Sequence, residues 1–340
     1  MKVAILGAGY CGLSLAWHLS SQAEVTIFDQ EKYGKASYAS TGLLHPFLGT
    51  RPRLSWNGFT AFQETLDLLE EMQAKSSKKV FKRTGIFKPI LYDKQIPDFR
   101  KAHEKFEEIE WVSSVHKQWG YQDLKDLTGI WVPDGLTIFS KNYLSVLSDA
   151  CFSQGVKRVY QNIADLEELQ GFDHIVLATG SSSHLFSELQ DIQLDRVKGQ
   201  ALLCEWPEGV PPLPMSIIGQ GHICMSEDLK TCFIGSTYEH QFDTEEPTDL
   251  VFRLKEQIGA YFPPAKDFKV LSTVSGVRIY RKKSHLPLVT RLSEKLWAFT
   301  AIGSRGLLYH SFLGKKLALA ILENDPSILP SDVQINHLMV

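Results

Sequence analysis

The chain opens with Lys2-Val3-Ala4-Ile5-Leu6-Gly7-Ala8-Gly9-Tyr10-Cys11-Gly12, a short apolar run followed by glycines in the pattern G-x-G-x-x-G. Apolar residues then recur at helical spacing from Leu13 to Leu19. Val25-Thr26-Ile27-Phe28 predicts a second strand, which ends at Asp29. A strand, a glycine turn, a helix and a strand with an acid at its end predict a Rossmann-like unit that binds a dinucleotide.

Each glycine of the motif has a predicted purpose. Gly7 permits the tight turn, Gly9 lets the backbone approach a pyrophosphate, and Gly12 lets the helix and the strand pack closely. The free N–H groups and the positive dipole end of the helix favour a phosphate at its N-terminus. The carboxylate of Asp29 is expected where a ribose hydroxyl is held. Cys11 also lies at this helix end, where a thiol pKa can be lowered, and packing against the cofactor is its predicted role.

The composition describes an ordinary globular protein that is long enough for two domains. Of its 340 residues, 44% are hydrophobic and 22% are charged, and the net charge of -3 gives no general attraction to nucleic acid or to an anionic membrane. Five scattered cysteines without a C-x-x-C favour neither a disulfide framework nor a metal site, so we expect no metal and a reducing cytoplasm. The first strand begins at Lys2, so we expect no signal peptide, and no apolar stretch is long enough to span a bilayer.

The opening architecture recurs later in the chain. Residues Phe172 to Gly180 predict a buried strand and a turn, and Leu296 to Leu322 predict a strand, a glycine turn and a helix. The stretches between these units predict antiparallel sheet. The sequence therefore predicts an α/β protein with a cofactor domain from residues 1–80, 140–196 and 280–340, and a substrate domain from residues 81–139 and 197–279. A contiguous nicotinamide dehydrogenase does not have this layout, although an NAD-binding dehydrogenase stays an alternative.

In this order the motifs are similar to those of the D-amino-acid oxidase family of FAD-dependent oxidoreductases. That family includes glycine oxidase, sarcosine oxidase and the oxidase domain of the bifunctional enzyme that modifies methylaminomethyl-uridine in tRNA. The resemblance covers nearly the whole chain. The matching residues are Gly7 to Gly12, Asp29, Ala36-Ser37, Gly42-Leu43-Leu44-His45-Pro46, Leu177-Ala178-Thr179-Gly180, Val197-Lys198-Gly199-Gln200, Gly276-Val277-Arg278 and Gly303-Ser304-Arg305-Gly306-Leu307.

The resemblance implies a glutathione-reductase-type FAD-binding domain with an inserted α+β substrate domain whose sheet is mostly antiparallel. It also implies a non-covalent FAD, with the pyrophosphate near Ser37 and Thr41, the isoalloxazine beside Gly42 and Leu43, and the adenine near Ile163. The backbone from Gly303 to Leu307 is expected near the flavin pyrimidine. The full set of expected cofactor-binding residues is Gly7, Gly9, Tyr10, Cys11, Gly12, Asp29, Gln30, Ser37, Thr41, Gly42, Leu43, Ile163, Ala178, Gly180, Gly303, Ser304, Gly306 and Leu307.

Three side chains are candidates for the chemistry. Arg278 stands in the Gly-x-Arg motif that holds the substrate carboxylate in the family, because a guanidinium fork binds a carboxylate with two hydrogen bonds. The alternative is that Arg278 is a surface arginine, because a run of basic residues follows it. Arg305 is expected either to reach a substrate carboxylate or to pair with an acidic side chain in a structural role. His222 stands near the place of a substrate-holding tyrosine, and a polar residue without a catalytic role is its alternative.

The resemblance implies an enzyme that oxidises the C–N bond of a small amino acid or a carboxylate-bearing secondary amine by hydride transfer to the flavin. Oxygen or an unidentified acceptor then takes the electrons. A second hypothesis is the same oxidation of a carboxymethylaminomethyl group on a tRNA wobble uridine, favoured by the Gly303 to Leu307 match and by local basic clusters. The acidic net charge disfavours a large nucleic-acid footprint.

Overall fold

The computed structural model describes residues 1–30, 35–49 and 51–335. Its strands are β1 (Lys2–Leu6), β2 (Glu24–Asp29), β3 (Leu43–Leu44), β4 (Phe81–Arg83), β5 (Ile86–Pro89), β6 (Glu110–Val112), β7 (Gly129–Val132), β8 (Leu136–Ile138), β9 (Lys157–Tyr160), β10 (His174–Leu177), β11 (Leu194–Glu205), β12 (Ser216–Gly219), β13 (Gly221–Met225), β14 (Thr231–Gly235), β15 (Val270–Arg281), β16 (Leu288–Arg291) and β17 (Leu296–Thr300). Its α-helices are α1 (Tyr10–Leu19), α2 (Gly58–Ala74), α3 (Ile96–Lys105), α4 (Val115–Trp119), α5 (Ser140–Ser153), α6 (Arg253–Gly259) and α7 (Gly306–Leu322).

A mostly parallel sheet brings together strands from the beginning, middle and end of the chain. Its order is β16-β17-β10-β1-β2-β9, and each neighbouring pair is parallel except the β16–β17 hairpin. Leu6 of β1 pairs with Leu177 of β10, and Leu177 pairs with Ala298 of β17. The chain segments that follow these three adjacent strands therefore leave the sheet at one edge, which is the usual ligand-binding edge of such sheets.

Helices α1, α2, α5 and α7 pack together and form the largest hydrophobic core with one face of this sheet. Helix α2 begins at Gly58, after Asn57 in a left-handed conformation. A smaller apolar cluster on the other face includes Ile163 and Leu177. The Rossmann-like fold class predicted from the sequence is confirmed.

A second, mostly antiparallel sheet has the order β15-β11-β14-β13-β12-β5-β7-β6, in which only the β12–β5 pair is parallel. Strands β3, β8 and β4 form a small antiparallel sheet in that order. Strand β11 begins at Leu194 and β15 ends at Arg281, so this long strand pair crosses the boundaries expected at 196/197 and 279/280. Those exact domain boundaries remain a prediction. Within the described residues, no helix is both long enough and apolar enough to cross a membrane.

A fully buried histidine joins the helices of the first core. His310 of α7 has its Nδ1 atom 3.1 Å from the Gly306 carbonyl and 3.0 Å from the Leu307 carbonyl, and its Nε2 atom 2.7 Å from the Tyr143 hydroxyl. Carbonyls only accept hydrogen bonds, so Nδ1 carries the proton and Nε2 accepts from Tyr143. The ring also lies 5.3 Å from the Tyr10 ring. Burial lowers the pKa of His310 to about 4.

We predict that His310→Gln makes the protein less sensitive to mild acid. The folded pKa lies below the ordinary value of about 6.5, so the unfolded chain binds the proton more readily and stability falls as the pH drops from 6.5 towards 4. Removing one such group lowers the pH dependence by about 1.4 kcal/mol per pH unit in this window. Urea unfolding between pH 4.5 and 6 measures it, with the exposed His240→Gln as control. An unchanged slope for His310→Gln contradicts the prediction.

Candidate functional site

A cavity of about 690 Å³ runs along the carboxyl edge of the parallel sheet. This volume lies within the range of cofactor and ligand sites, about 300–1,000 Å³. All the expected cofactor-binding and catalytic residues line it except Gly12. The predicted residues that do so are Gly7, Gly9, Tyr10, Cys11, Asp29, Gln30, Ser37, Thr41, Gly42, Leu43, Ile163, Ala178, Gly180, His222, Arg278, Gly303, Ser304, Arg305, Gly306 and Leu307.

The first glycine turn is built by close backbone packing. Gly7 has a φ of +111°, and a Cβ atom on it would lie 2.4 Å from the Ala178 carbonyl oxygen. A Cβ on Gly12 would lie 1.9 Å from the Gly7 carbonyl oxygen, so Gly12 packs behind the turn and does not line the cavity. Its role is the helix–strand packing that the motif predicts, and direct contact with a ligand is not supported. Gly7 and Gly9 both line the cavity.

The N-terminus of α1 is suited to a phosphate. The helix begins after Gly9, has no side-chain cap and has no acidic residue in its first turn. Ser37 lies beside it, and its hydroxyl accepts a 3.1 Å hydrogen bond from the Tyr10 amide. A dinucleotide pyrophosphate meets the helix dipole here without competing carboxylates. The cavity shape and this donor set fit a dinucleotide.

Asp29 is already surrounded by protein donors. Its carboxylate lies 2.9 Å from Lys35 Nζ and 2.8 Å from Arg158 Nη2, and it accepts a 3.3 Å hydrogen bond from the Ala8 amide. A carboxylate offers about four acceptor positions, so a ribose hydroxyl must share an oxygen with one of these donors. The two cations were not anticipated from the sequence, because residues 35 and 158 carry no motif of their own.

The Cys11 thiol is not activated by the helix end. Its side chain is half-buried, and burial raises its pKa to about 12. The lowered pKa that a helix N-terminus can produce is therefore absent, because loss of hydration outweighs the helix dipole. Cys11 is a neutral packing residue in the cavity wall.

Residues 35–43 form a second wall of the cavity, held by glycines. A Cβ on Gly276 of β15 would lie 2.7 Å from the Ala36 Cα atom, so the Gly-x-Arg glycine lets this wall lie on the strand. Gly42 has a φ of +89°, and a Cβ there would lie 1.8 Å from the Ile138 carbonyl oxygen. These contacts fix the backbone position of Thr41 and Leu43.

His222 of β13 binds this second wall. Its Nε2 atom lies 2.6 Å from the Thr41 hydroxyl, and the Thr41 carbonyl accepts a 3.2 Å contact from the Cys224 thiol. Burial, followed by the positive charge of Arg278, lowers the pKa of His222 to about 4. The imidazole is therefore neutral at pH 7. The structure thus joins a residue of the second sheet to the wall that precedes β3.

Arg278 of β15 points into the cavity next to His222. Its Nη2 atom donates a 3.1 Å hydrogen bond to the Thr237 carbonyl, and its guanidinium carbon lies 5.3 Å from the centre of the Tyr238 ring. A Cβ on Gly199 would lie 2.0 Å from Nη2, so this glycine makes room for the guanidinium. The alternative of a free surface arginine is not supported, since Arg278 is half-buried and lines the cavity.

Arg305 occupies the last glycine turn and belongs to a group of basic side chains. Its guanidinium donates to the Ser55 hydroxyl, and no carboxylate of the described residues lies within salt-bridge distance. Ser55 links this turn to the loop after His45, because its amide donates a 2.9 Å hydrogen bond to the Pro46 carbonyl. The charge of Arg305 acts on both His45 and Lys88, and the charge of Lys88 acts on His45. Burial, then Arg305, lowers the pKa of Lys88 to about 7, and burial, then Lys88 and Arg305, lowers the pKa of His45 well below its usual range.

Sequence patterns missed Lys88 as a residue near the site. It lies in β5, a strand whose four residues are all buried, and its Nζ donates to the Leu48 carbonyl. The available signal was a lone lysine inside the apolar run Ile86-Phe87-Lys88-Pro89. In the described part of the chain, no group of three or more His, Cys, Asp or Glu side chains is placed to hold a metal ion.

Comparison with known proteins places this geometry in a family. Residues 2–320 match the family model of FAD-dependent oxidoreductases named DAO. The chain is 24% identical to the bifunctional protein ThiO/ThiG of Nostoc sp. over 262 residues, which cover 70% of this chain and 39% of that protein. The chain therefore spans about two fifths of the length of the curated relatives that it matches.

Two solved structures share the fold over nearly their full length. The glycine oxidase of Geobacillus kaustophilus superposes with a TM-score of 0.83 at 16% identity, covering 99% of both chains. The iminodiacetate oxidase of Chelativorans sp. BNC1 superposes with a TM-score of 0.81 at 20% identity, covering 96% of this chain and 97% of the other. The family resemblance stated from the motifs is confirmed by the model match. The chain belongs to the DAO family of FAD-dependent oxidoreductases.

Proposed function

We propose that this protein binds FAD non-covalently in the cavity and oxidises the C–N bond of a small amino acid or of a secondary amine that bears a carboxylate. The observation that carries the proposal is Arg278, a half-buried cation that lines the same cavity as the glycine turns. No carboxylate of the described residues pairs with it. The names of the similar structures, a glycine oxidase and an iminodiacetate oxidase, describe substrates of this kind.

The proposed FAD-binding residues all line the cavity except Gly12, and the family resemblance assigns them to the parts of the cofactor. The α1 N-terminus with Ser37 holds the pyrophosphate, and Ile163 packs against the adenine end. Gly42 and Leu43 lie beside the isoalloxazine. The Gly303 to Leu307 backbone, which starts α7, lies near the pyrimidine. Asp29 keeps its place at the ribose by sharing an oxygen with Lys35 or Arg158.

Positioning is the main contribution of the protein to this chemistry. Bound FAD supplies a two-electron acceptor, as flavins do in this family. Arg278 binds the substrate carboxylate through its guanidinium fork and so fixes the orientation of the neighbouring C–H bond. When His222 Nε2–H donates to Thr41, His222 Nδ1 is free to accept an N–H bond from the substrate amine.

The family match and the cavity bear on the two alternative activities, a nicotinamide dehydrogenase and a tRNA oxidation. Membership of an FAD-dependent family removes the nicotinamide dehydrogenase alternative. No feature of the cavity favours a tRNA substrate over a small amine.

The five cysteines are free thiols in the structure, which supports the proposal of a reducing cytoplasmic location.

Purified protein is expected to be yellow, with about one FAD per chain, and to release all of it on acid precipitation because no covalent bond forms. Gly9→Leu is expected to lower the FAD content at least 10-fold, since the added side chain fills the backbone approach to the pyrophosphate and lies against Ser37. Absorbance of the flavin and of the released supernatant measures both.

The matched control is Gly171→Leu, which places the same side chain where the glycine meets open space. Circular dichroism checks that both variants are folded. Flavin that stays in the acid pellet would refute non-covalent binding. Full FAD content in a folded Gly9→Leu protein would remove the α1 N-terminus from the proposed site.

Arg278→Gln is expected to lower kcat/KM for flavin reduction about 100-fold, because a charge-assisted pair with the substrate carboxylate is lost. That factor corresponds to about 2.7 kcal/mol. The measurement is anaerobic flavin bleaching with glycine, sarcosine, proline, iminodiacetate and D-amino acids, which does not depend on the electron acceptor.

FAD content is expected to stay unchanged in Arg278→Gln, and the exposed Arg100→Gln serves as control. If no amine in the panel bleaches the wild-type flavin, the proposed activity is wrong. If the variant reduces its flavin as fast as wild type, Arg278 does not hold the carboxylate.

A further inference from the structure

The charges around the cavity are unevenly balanced. Asp29 is the one acidic residue that lines it among the described residues, and Lys35 and Arg158 neutralise it at the dinucleotide end. Arg278 and Arg305 line the same cavity, and within the described ranges neither lies within 4 Å of a carboxylate. This part of the cavity therefore carries two guanidinium charges that the described part of the chain leaves unbalanced.

The two arginines flank a pair of tyrosines. The guanidinium of Arg278 lies over the Tyr238 ring, and the Tyr238 and Tyr280 ring centres are 6.2 Å apart. Tyr280 packs against Gly303, where a Cβ would lie 2.3 Å from its ring, and it influences Arg305 electrostatically. The two guanidinium groups therefore occupy separate positions on one wall. Arg278 donates to the Thr237 carbonyl, and Arg305 donates to the Ser55 hydroxyl.

Two further basic side chains, Lys88 and His45, belong to the region around Arg305. Lys88 is 1% exposed and donates to the Leu48 carbonyl, behind a loop whose residues Phe47 and Gly49 line the cavity. His45 lines the cavity and is 9% exposed, and its Nδ1 atom is buried without a hydrogen-bond partner among the described residues. Buried polar atoms and buried cations are costly unless a partner satisfies them. An anion that enters from the cavity would supply that partner.

We propose that Arg305, His45 and Lys88 form a binding site for a second carboxylate, so that the preferred substrate is an amino acid or secondary amine with two carboxylates. Arg278 holds one carboxylate, and Arg305 and His45 contact the other. Lys88 is a positioning residue that supports the 45–49 loop and adds positive charge. This inference rests on the proposed function, because it names the substrate class of the same site.

The FAD pyrophosphate does not account for this basic group. The phosphate-binding features, the α1 N-terminus and Ser37, belong to the first glycine turn, where Asp29, Lys35 and Arg158 also lie. Arg305 belongs to the last glycine turn, His45 follows β3, and Lys88 lies in β5. A second anion of the substrate is the simplest ligand that balances it.

Binding of unreactive carboxylates to the FAD-loaded protein tests the inference without turnover. Malonate, succinate and glutarate are compared with acetate and propionate, with the visible flavin spectrum and the thermal midpoint as readouts. At least one dicarboxylate is expected to bind 10-fold or more tightly than either monocarboxylate. Arg305→Gln is expected to reduce this preference to less than 3-fold, and Lys88→Met to weaken it. Lys82→Met, at an exposed position of β4, is expected to leave it unchanged.

A wild-type protein that binds dicarboxylates no better than monocarboxylates overturns the second site. So does a preference that survives in folded Arg305→Gln. Flavin reduction by iminodiacetate, aspartate and glutamate beside glycine and sarcosine separates the two proposals. Reduction by the monocarboxylates without a dicarboxylate preference leaves the proposed function standing and removes this inference. Reduction by none of them removes the proposed function, while the binding comparison still decides whether a two-carboxylate site exists.

Discussion

The close packing of backbone at the carboxyl edge of the parallel sheet is the constraint on which the site depends. Gly7 meets the Ala178 carbonyl and Gly12 meets the Gly7 carbonyl, at distances that leave no room for a Cβ atom. Because β1, β10 and β17 are parallel neighbours, the turns that follow them share one edge and border a single cavity. The helices α1 and α7 then begin at that cavity, and neither has an acidic residue in its first turn.

Two glycines on neighbouring strands explain how the substrate side of the cavity is built. Gly199 of β11 pairs with Gly276 of β15. The absent side chain at 199 leaves space for the Arg278 guanidinium, and the absent side chain at 276 leaves space for the wall that contains Ala36. A cation and a cofactor wall are thereby brought to the same strand pair. The His222–Thr41 hydrogen bond then ties that wall to β13, so the segments proposed to contact FAD and substrate are positioned together.

Charge divides the cavity into two regions with different tasks. Around Asp29, Lys35 and Arg158 outweigh the single carboxylate by one positive charge, which suits a cofactor with an anionic pyrophosphate that is bound throughout turnover. Around Arg278 and Arg305 the described residues supply no compensating acid, which suits a substrate that brings its own negative charge. Neutral His222 fits this division, because burial and the nearby guanidinium keep it uncharged and it therefore adds no repulsion toward an amine.

The sequence by itself determined the local units and their order. The glycine motif, the apolar strand and the helix that follows are local patterns, and they predicted the Rossmann-like fold. The order of the motifs along the chain carried the family resemblance, and that resemblance implied most of the residues that border the cavity. Tertiary structure decided which charges are balanced. Lys35 and Arg158 reach Asp29 from positions 6 and 129 residues away, and Lys88, in a buried strand of another sheet, donates to the Leu48 carbonyl beside the cavity. Such partners carry no pattern in the chain, because they become neighbours only after the sheets have formed.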